Sequence, residues 1–382
     1  MVNKYLPFVL GGIESHMGNL ARELTKAHIA DVHLLGAQAP ERLHRLDFDL
    51  SGVSFEELQT SKLIANTPIA PSLSQKLIDL SEQADILHFH MPYPYADYAY
   101  LKALHKHSKL SKKPLVISYH SDIVRQKFLK QMYKPVMHSF LSRADAIVVS
   151  SPQLQRSSDA LKKYQNKVFV VPFGCDTEFF GSFTGEDKAS ERMAQRKKLS
   201  LTEPESPLTL FVGRLVYYKG IDVLLNAFTA VPGTLVIVGT GPYKTQLVEQ
   251  TLDLGLQHRV HFVPSMSAYE LALTYAAADL LVLPSIANSE AFGLVQIEAH
   301  AAATPTVASR LATGVSFATS HGEDGILVEP NKPDALARAI NVLYQNPSYL
   351  SELAKNAKNR AQKLFSYQNM CQGFANIYDS LL

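Results

Sequence analysis

The sequence predicts two α/β domains, each a parallel sheet flanked by helices, on three observations. The chain has 382 residues, 46% of them hydrophobic and 19% charged, which is enough apolar material for two cores. Short β-branched or apolar runs alternate with longer amphipathic stretches along the whole length, the pattern of strands joined by helical crossovers. The alternation breaks across 182–207, where charged residues, Pro204 and Pro207 leave only a short basic helix, so this segment reads as the domain boundary.

Strands are expected in the first half at 32–35, 85–91, 114–119, 146–150 and 167–172. The second half repeats the series at 208–213, 234–239, 260–263, 280–284, 306–309 and 326–328. Residues 367–382 read as a terminal amphipathic helix. In a doubly wound domain the first strand precedes the first glycine-rich turn, yet Gly11 and Gly12 follow only ten residues, Pro7 among them. At best, residues 1–5 form the tail of a strand. We therefore expect that Met1 is not the natural beginning and that an upstream segment encodes the rest of that strand.

Cys175 and Cys371 are far apart and belong to no CxxC pair, so neither a disulfide framework nor a zinc site is expected. No signal-peptide pattern and no membrane-spanning apolar run is present, and a cytoplasmic location is expected. Net charge is only +2. The basic excess concentrates between 101 and 140, where Lys102, Lys106, Lys109, Lys112, Lys113, Arg125, Lys127, Lys130 and Lys134 face Asp122 alone. Such a stretch is either a solvated helix face or a surface for an anionic partner, and both readings stay open here.

Two segments carry chemistry. Phe211-Val-Gly-Arg-Leu-Val-Tyr-Tyr-Lys-Gly220 follows a buried-looking strand and places Gly213, Arg214 and Lys219 at its C-terminal end, the ligand-binding edge of an open α/β sheet. A guanidinium and an ammonium there suit a diphosphate. Ser285-Ile-Ala-Asn-Ser-Glu-Ala-Phe-Gly-Leu-Val-Gln-Ile-Glu298 follows a second apolar strand. A helix starting near Gly293 would aim the amides of Phe292, Gly293 and Leu294 at an anion. Glu290 and Glu298 would accept hydrogen bonds from vicinal hydroxyls of a sugar and a ribose.

The spacing of Glu290 and Glu298 after a strand, with Gly213-Arg-Leu-x3-Lys-Gly220, resembles family 4 of the retaining glycosyltransferases. Gly11-Gly-Ile-Glu14, Tyr119-His-Ser-Asp122, Val171-Pro-Phe-Gly-Cys-Asp176 and Val238-Gly-Thr-Gly-Pro242 extend the likeness over nearly the whole chain. The string from His120 to Lys127 is similar to bacterial mannosyl or rhamnosyl transferases of surface-polysaccharide assembly. The resemblance implies the GT-B fold: two Rossmann-like domains facing across a cleft. Residues 1–175 would be the acceptor domain and 176–365 the nucleotide-sugar donor domain, with the helix at 366–382 returning to the first.

It further implies that Arg214 and Lys219 hold the donor diphosphate, Glu298 the ribose and Glu290 the sugar. His120 would reach the sugar from the other domain, and Gly12 would let its loop approach the diphosphate. Gly11, Asp122, Gly213, Gly239, Ser285, Phe292, Gly293 and Leu294 would complete the substrate contacts. The family's glycine loop normally follows a complete first strand, and Asn is more usual than Phe173 before Gly174.

On this resemblance the enzyme retains anomeric configuration, uses no metal or other cofactor, and moves a hexose, mannose from GDP-mannose favoured, to a glycan or lipid-linked glycan at the inner membrane face. No nucleic-acid partner is expected. The rivals are a GT-B epimerase and a non-catalytic binder of nucleotide-sugar or glycan. Asp47-Phe-Asp49 matches the DxD of metal-dependent glycosyltransferases but follows a polar stretch, so it is not assigned a metal. Gly239-Thr-Gly241 is half a dinucleotide fingerprint, with Lys244 where the third glycine belongs. Cys175 has no evident base beside it and is read as structural.

Overall fold

The computed structural model describes residues 1–9, 11–41, 43, 47–122, 127–200, 203 and 205–382, residues 127–130 by backbone alone. The chain forms two units: Met1–Phe173 with Tyr367–Leu382, and Gly174–Ser366.

The first unit contains β1 (His33–Ala37), β2 (Ser54–Leu58), β3 (Lys62–Ile64), β4 (Thr67–Ile69), β5 (Leu87–Met91), β6 (Leu115–Tyr119), β7 (Ala146–Val149) and β8 (Val168–Val170). Its helices are α1 (Gly12–Lys26), α2 (Leu73–Ser81), α3 (Pro94–Lys106), α4 (Lys127–Arg143), α5 (Pro152–Ser157) and the C-terminal helix Tyr367–Asp379. Strands β5, β6, β7 and β8 pair in that order, all parallel, and β1 pairs in parallel with β2. The start of the chain joins the two sets: Val2 bridges Leu35 on one side and Phe89 on the other. Leu35 N donates to Met1 O at 2.8 Å and His90 N to Val2 O at 2.8 Å. Among the described residues at the start of the chain Val2 alone is bridged on both sides, and beside it a groove of about 590 Å3 runs past Met1, His33, Ile86, His88 and Leu382. Burial pushes the Met1 amine down to about 5.

β5 and β6 are buried at every position, which explains the near-continuous apolar run of β6, whereas β5 carries His88 and His90 inside. β2, β3 and β4 were not expected. Their solvent-facing residues, such as Ser54, Phe55, Lys62 and Leu63, leave no apolar run to read. The C-terminal helix buries Met370, Cys371, Phe374, Ile377 and Tyr378 against Met17, Leu20 and Leu24 of α1.

The second unit holds one parallel six-stranded sheet: β9 (Leu208–Val212), β10 (Thr234–Val238), β11 (Val260–Val263), β12 (Leu280–Leu283), β13 (Thr306–Ser309) and β14 (Gly325–Val328), in the order β11-β10-β9-β12-β13-β14. Around it lie α6 (Thr177–Gly181), α7 (Ala189–Leu199), α8 (Ile221–Phe228), α9 (Lys244–Asp253), α10 (Ala268–Ala277), α11 (Leu294–Ala301), α12 (Val315–Ala318), α13 (Pro333–Tyr344) and α14 (Pro347–Leu364). This is the doubly wound order, reversing between β9 and β12.

Segment 182–207 is not the boundary that its composition suggested. It belongs to the second unit, where Gln195 Nε2 of α7 donates to Thr274 Oγ1 at 2.8 Å and Arg196 bonds Ala277 O, Ser206 O and Asp279 Oδ2. Polar side chains, not an apolar stripe, dock α7. The division falls instead between 173 and 174 and between 366 and 367.

Candidate active site

In the second unit the loops after β9 and β12 emerge side by side at the strand C-termini, where the winding reverses. Gly213 and Gly239 end β9 and β10 at φ +152° and +144°. A Cβ on Gly239 would collide with the carbonyl oxygen of Gly213, so these loops can leave the sheet this close together only without side chains.

Past Gly213 the chain exposes Arg214 and then turns through Tyr217–Lys219, burying Lys219. Lys219 Nζ lies 2.5 Å from Glu290 Oε2, which also accepts from Ser285 Oγ at 3.0 Å. Both charged side chains are about nine-tenths buried, 11% and 8% exposed. Arg214 has no side-chain partner among the described residues. The structure thus brings Lys219, Ser285 and Glu290 into one cluster, with an unengaged guanidinium on the same loop.

α11 begins where expected, capped by Gly293 at φ +76° with no side chain bonding its first amides. The ring of Phe292 packs edge-on to Phe317 and Phe365, so this residue offers a ligand only its backbone. Glu298 stands apart from the lysine cluster. Its Oε2 accepts from Tyr275 of α10 at 2.9 Å, and burial pushes its carboxyl above the usual range.

In the first unit Gly11 precedes α1 in extended backbone, and a Cβ on Gly12 would meet nothing within 4 Å. His120 follows β6, buried, its backbone N–H on Met91 O at 3.1 Å. Burial drives its imidazole down to about 3. Asp122 Oδ1 accepts from Tyr119 at 2.5 Å and from Ser158 at 2.9 Å, bracing the turn after β6. The rest of the motif, 123–126, and the side chain of Lys127 lie outside the described residues, as do Arg125 and the side chain of Lys130 in the basic stretch.

Sequence reasoning missed three buried histidines beside His120: His16 on α1, and His88 and His90 on β5. The available signal was His88-Phe-His90, since alternate strand residues share a face. Asp49 accepts from the Ser51 amide at 2.9 Å and the Ser51 hydroxyl at 2.5 Å. Its carboxylate therefore caps a local turn. Cys175 is buried with its thiol on Ile297 O at 3.5 Å, and burial raises it well above the ordinary thiol range, so it is no nucleophile.

The glycosyltransferase family 4 pattern matches residues 10–179, and that of glycosyl transferases group 1 matches residues 192–363. The chain is 31% identical over 364 residues to the D-rhamnosyltransferase WbpZ of Pseudomonas aeruginosa, covering 95% of this chain and 90% of that protein. The chain belongs to glycosyltransferase family 4. A second relative is the O-antigen chain mannosyltransferase C of Escherichia coli, 30% identical over 387 residues, covering 99% of this chain and 96% of the relative. Among solved structures, Anabaena HepE in complex with UDP aligns over 99% of both chains with a TM-score of 0.77 at 22% identity. WaaG, a glycosyltransferase involved in lipopolysaccharide biosynthesis, aligns over 99% of both at 0.67 and 18%. These likenesses give the family 4 enzyme the GT-B fold. No helix among its described residues is long and apolar enough to cross a membrane.

Proposed function

We propose that this glycosyltransferase moves mannose from GDP-mannose, with retention, onto a lipid-linked glycan of a bacterial surface polysaccharide. The observation that carries the donor half is the set at the reversal of the second sheet: an exposed, unpartnered Arg214 beside the buried Lys219–Glu290–Ser285 cluster. Breaking a nucleotide-sugar bond builds negative charge on the departing diphosphate. Arg214, Lys219 and the start of α11, whose first amides no side chain bonds, supply fixed positive charge there, in a site organised before the reaction. They act most strongly when that charge is fully developed, which raises the rate and not merely the binding.

In this reading Glu290 takes hydroxyls of the sugar, Glu298 those of the ribose, and His120 is a further contact of the sugar. Gly11, Gly12, Gly213, Gly239 and the backbone of 292–294 admit the diphosphate. Asp122 acts by holding the His120 turn. The names of WbpZ and of the mannosyltransferase support the sugar class and the O-antigen setting. The exposed Lys102, Lys106, Lys109 and Lys112 support docking on anionic lipid, each near-surface cation adding about 1 kcal/mol.

The test is transfer from a panel of GDP-, UDP-, ADP- and dTDP-sugars to a polyprenyl-diphosphate-linked glycan, with the product anomer read by NMR. GDP-mannose is expected to be preferred, the anomeric configuration kept, and the rate unchanged by EDTA. Activity abolished by EDTA would return Asp47 and Asp49 to consideration, and donor binding without transfer or hydrolysis would show a binder. Flotation with anionic but not neutral vesicles at low salt is expected; equal flotation with both refutes the lipid surface.

A further inference from the structure

The histidines of the first unit form an ordered stack that the donor chemistry does not account for. His88 and His90 share one face of β5, and His120 follows the paired strand β6, with Met91 opposite Tyr119. His88 is held at both nitrogens, Nδ1 2.8 Å from the Tyr378 hydroxyl of the C-terminal helix and Nε2 2.8 Å from Ser118 Oγ. Its ring stacks on His90 at 4.6 Å and 25°. His90 Nδ1 in turn lies 2.9 Å from His120 Nε2, with the two rings within 19° of coplanar and their centroids 5.2 Å apart. That separation fits two five-membered rings meeting nitrogen to nitrogen, a straight hydrogen bond.

All three rings are buried, at 3% exposure or less. A neutral imidazole carries one N–H and one lone pair, so a single proton lies between His90 and His120. His90 Nε2 is buried without a partner, which leaves the bond to His120 as the only side-chain hydrogen bond His90 makes among the described residues. His120 Nδ1 has no partner among the described residues. We infer that His90 is a positioning residue: it commits Nε2 of His120 to an internal bond and fixes the ring so that Nδ1 is the nitrogen offered to the donor sugar. This rests on reading His120 as a sugar contact.

A metal centre is the competing use of these side chains, because His16, His90 and His120 offer nitrogens within 4.8 Å of one another. Zinc bound at about 2.0–2.1 Å needs lone pairs converging on one point. The facing nitrogens of His90 and His120 instead share one proton along the line between them, a hydrogen-bond and not a coordination geometry.

The test pairs variants that keep one nitrogen position each. An asparagine amide sits near the Nδ1 of a histidine, a glutamine amide near Nε2. His120→Asn is expected to keep at least tenfold more transfer than His120→Gln. His90→Phe should lower kcat about 10- to 100-fold by loosening His120, and His90→Asn, which restores a polar atom opposite Nε2, should recover most of it. Circular dichroism checks that each variant folds.

A second arm needs no activity: 15N spectra of histidine-labelled wild-type protein should show His120 in one tautomer, and His90→Phe should mix the two. Should no donor be turned over, this arm still decides the pairing, so a failed transferase reading is told apart from a failed histidine reading. The inference is overturned if His120→Gln matches or exceeds His120→Asn, if His90→Phe is folded and fully active, if His120 is already a tautomer mixture in wild type, or if one equivalent of Zn2+ shifts the His90 and His120 signals together.

Discussion

Replacing Lys219 with methionine removes the partner of a carboxylate that water scarcely reaches. Were Lys219 a solvated cation, its loss would cost about 0 to 1 kcal/mol, and turnover would suffer far more than stability. The structure changes that expectation for this residue: Lys219 and Glu290 are 11% and 8% exposed at 2.5 Å. Breaking a buried pair by removing one side costs about 3 to 5 kcal/mol, because the remaining charge is stranded. One acceptor bond from Ser285 Oγ offsets part of this, so about 3 kcal/mol is expected for Lys219→Met. The Lys219→Met/Glu290→Leu double variant leaves no charge behind and should cost less than Lys219→Met alone. The chain has no tryptophan and two units, so the second should be followed by hydrogen exchange of the β9 and β12 amides in increasing urea. A loss below 1 kcal/mol for Lys219→Met, with additive losses in the double variant, would refute the reasoning.

Arg214 is exposed, so Arg214→Ala should shift stability by at most about 1 kcal/mol while reducing transfer by the 1.5 to 3 kcal/mol of a charge-assisted contact, read as kcat/KM against melting temperature. Glu298→Ala should weaken binding of the bare nucleotide in calorimetry, and Glu290→Gln should spare it and depress transfer; equal effects would remove the division of roles. Burial raises Asp97 from 3.8 to about 8, against the Tyr133 hydroxyl that bonds it. The folded state therefore holds a proton that the unfolded state releases, and stability contributed below pH 4 is lost as pH rises to about 8. Asp97→Asn should flatten that decline in denaturant titrations between pH 5 and 8. Extending Met1 with four apolar residues should raise the melting temperature by filling the groove between β1 and β5. An unchanged value would show that the groove does not accept a strand.

How much was legible depended on whether a feature was local. The strand runs at 260–263 and 306–309 match β11 and β13 residue for residue, because short β-branched or aromatic runs stand out between helical stretches. The start of α11 was readable because Gly293 takes a left-handed conformation there that other residues resist. Three things were not readable. The burial of Lys219 depends on its pairing with Glu290, 71 positions away and on another loop. The histidine stack is assembled from α1, β5, β6 and the C-terminal helix, and no window of sequence contains it. Segment 182–207 read as a linker because α7 docks through Gln195 and Arg196, which periodicity counts as solvent-facing.

The first unit takes its final helix from the far end of the chain. A growing polypeptide therefore emerges with 1–173 lacking the surface that covers α1, then makes the whole of 174–366, and only then delivers residues 367–382. The second unit has all its strands before residues 367–382 are made, whereas the first stays open at Met17, Leu20 and Leu24 until those residues arrive. At about 5 to 20 residues per second, the 193 residues of the second unit impose a delay on the order of 10 to 40 s. Over that interval the half that carries His120 exposes apolar surface and is the part a chaperone would hold.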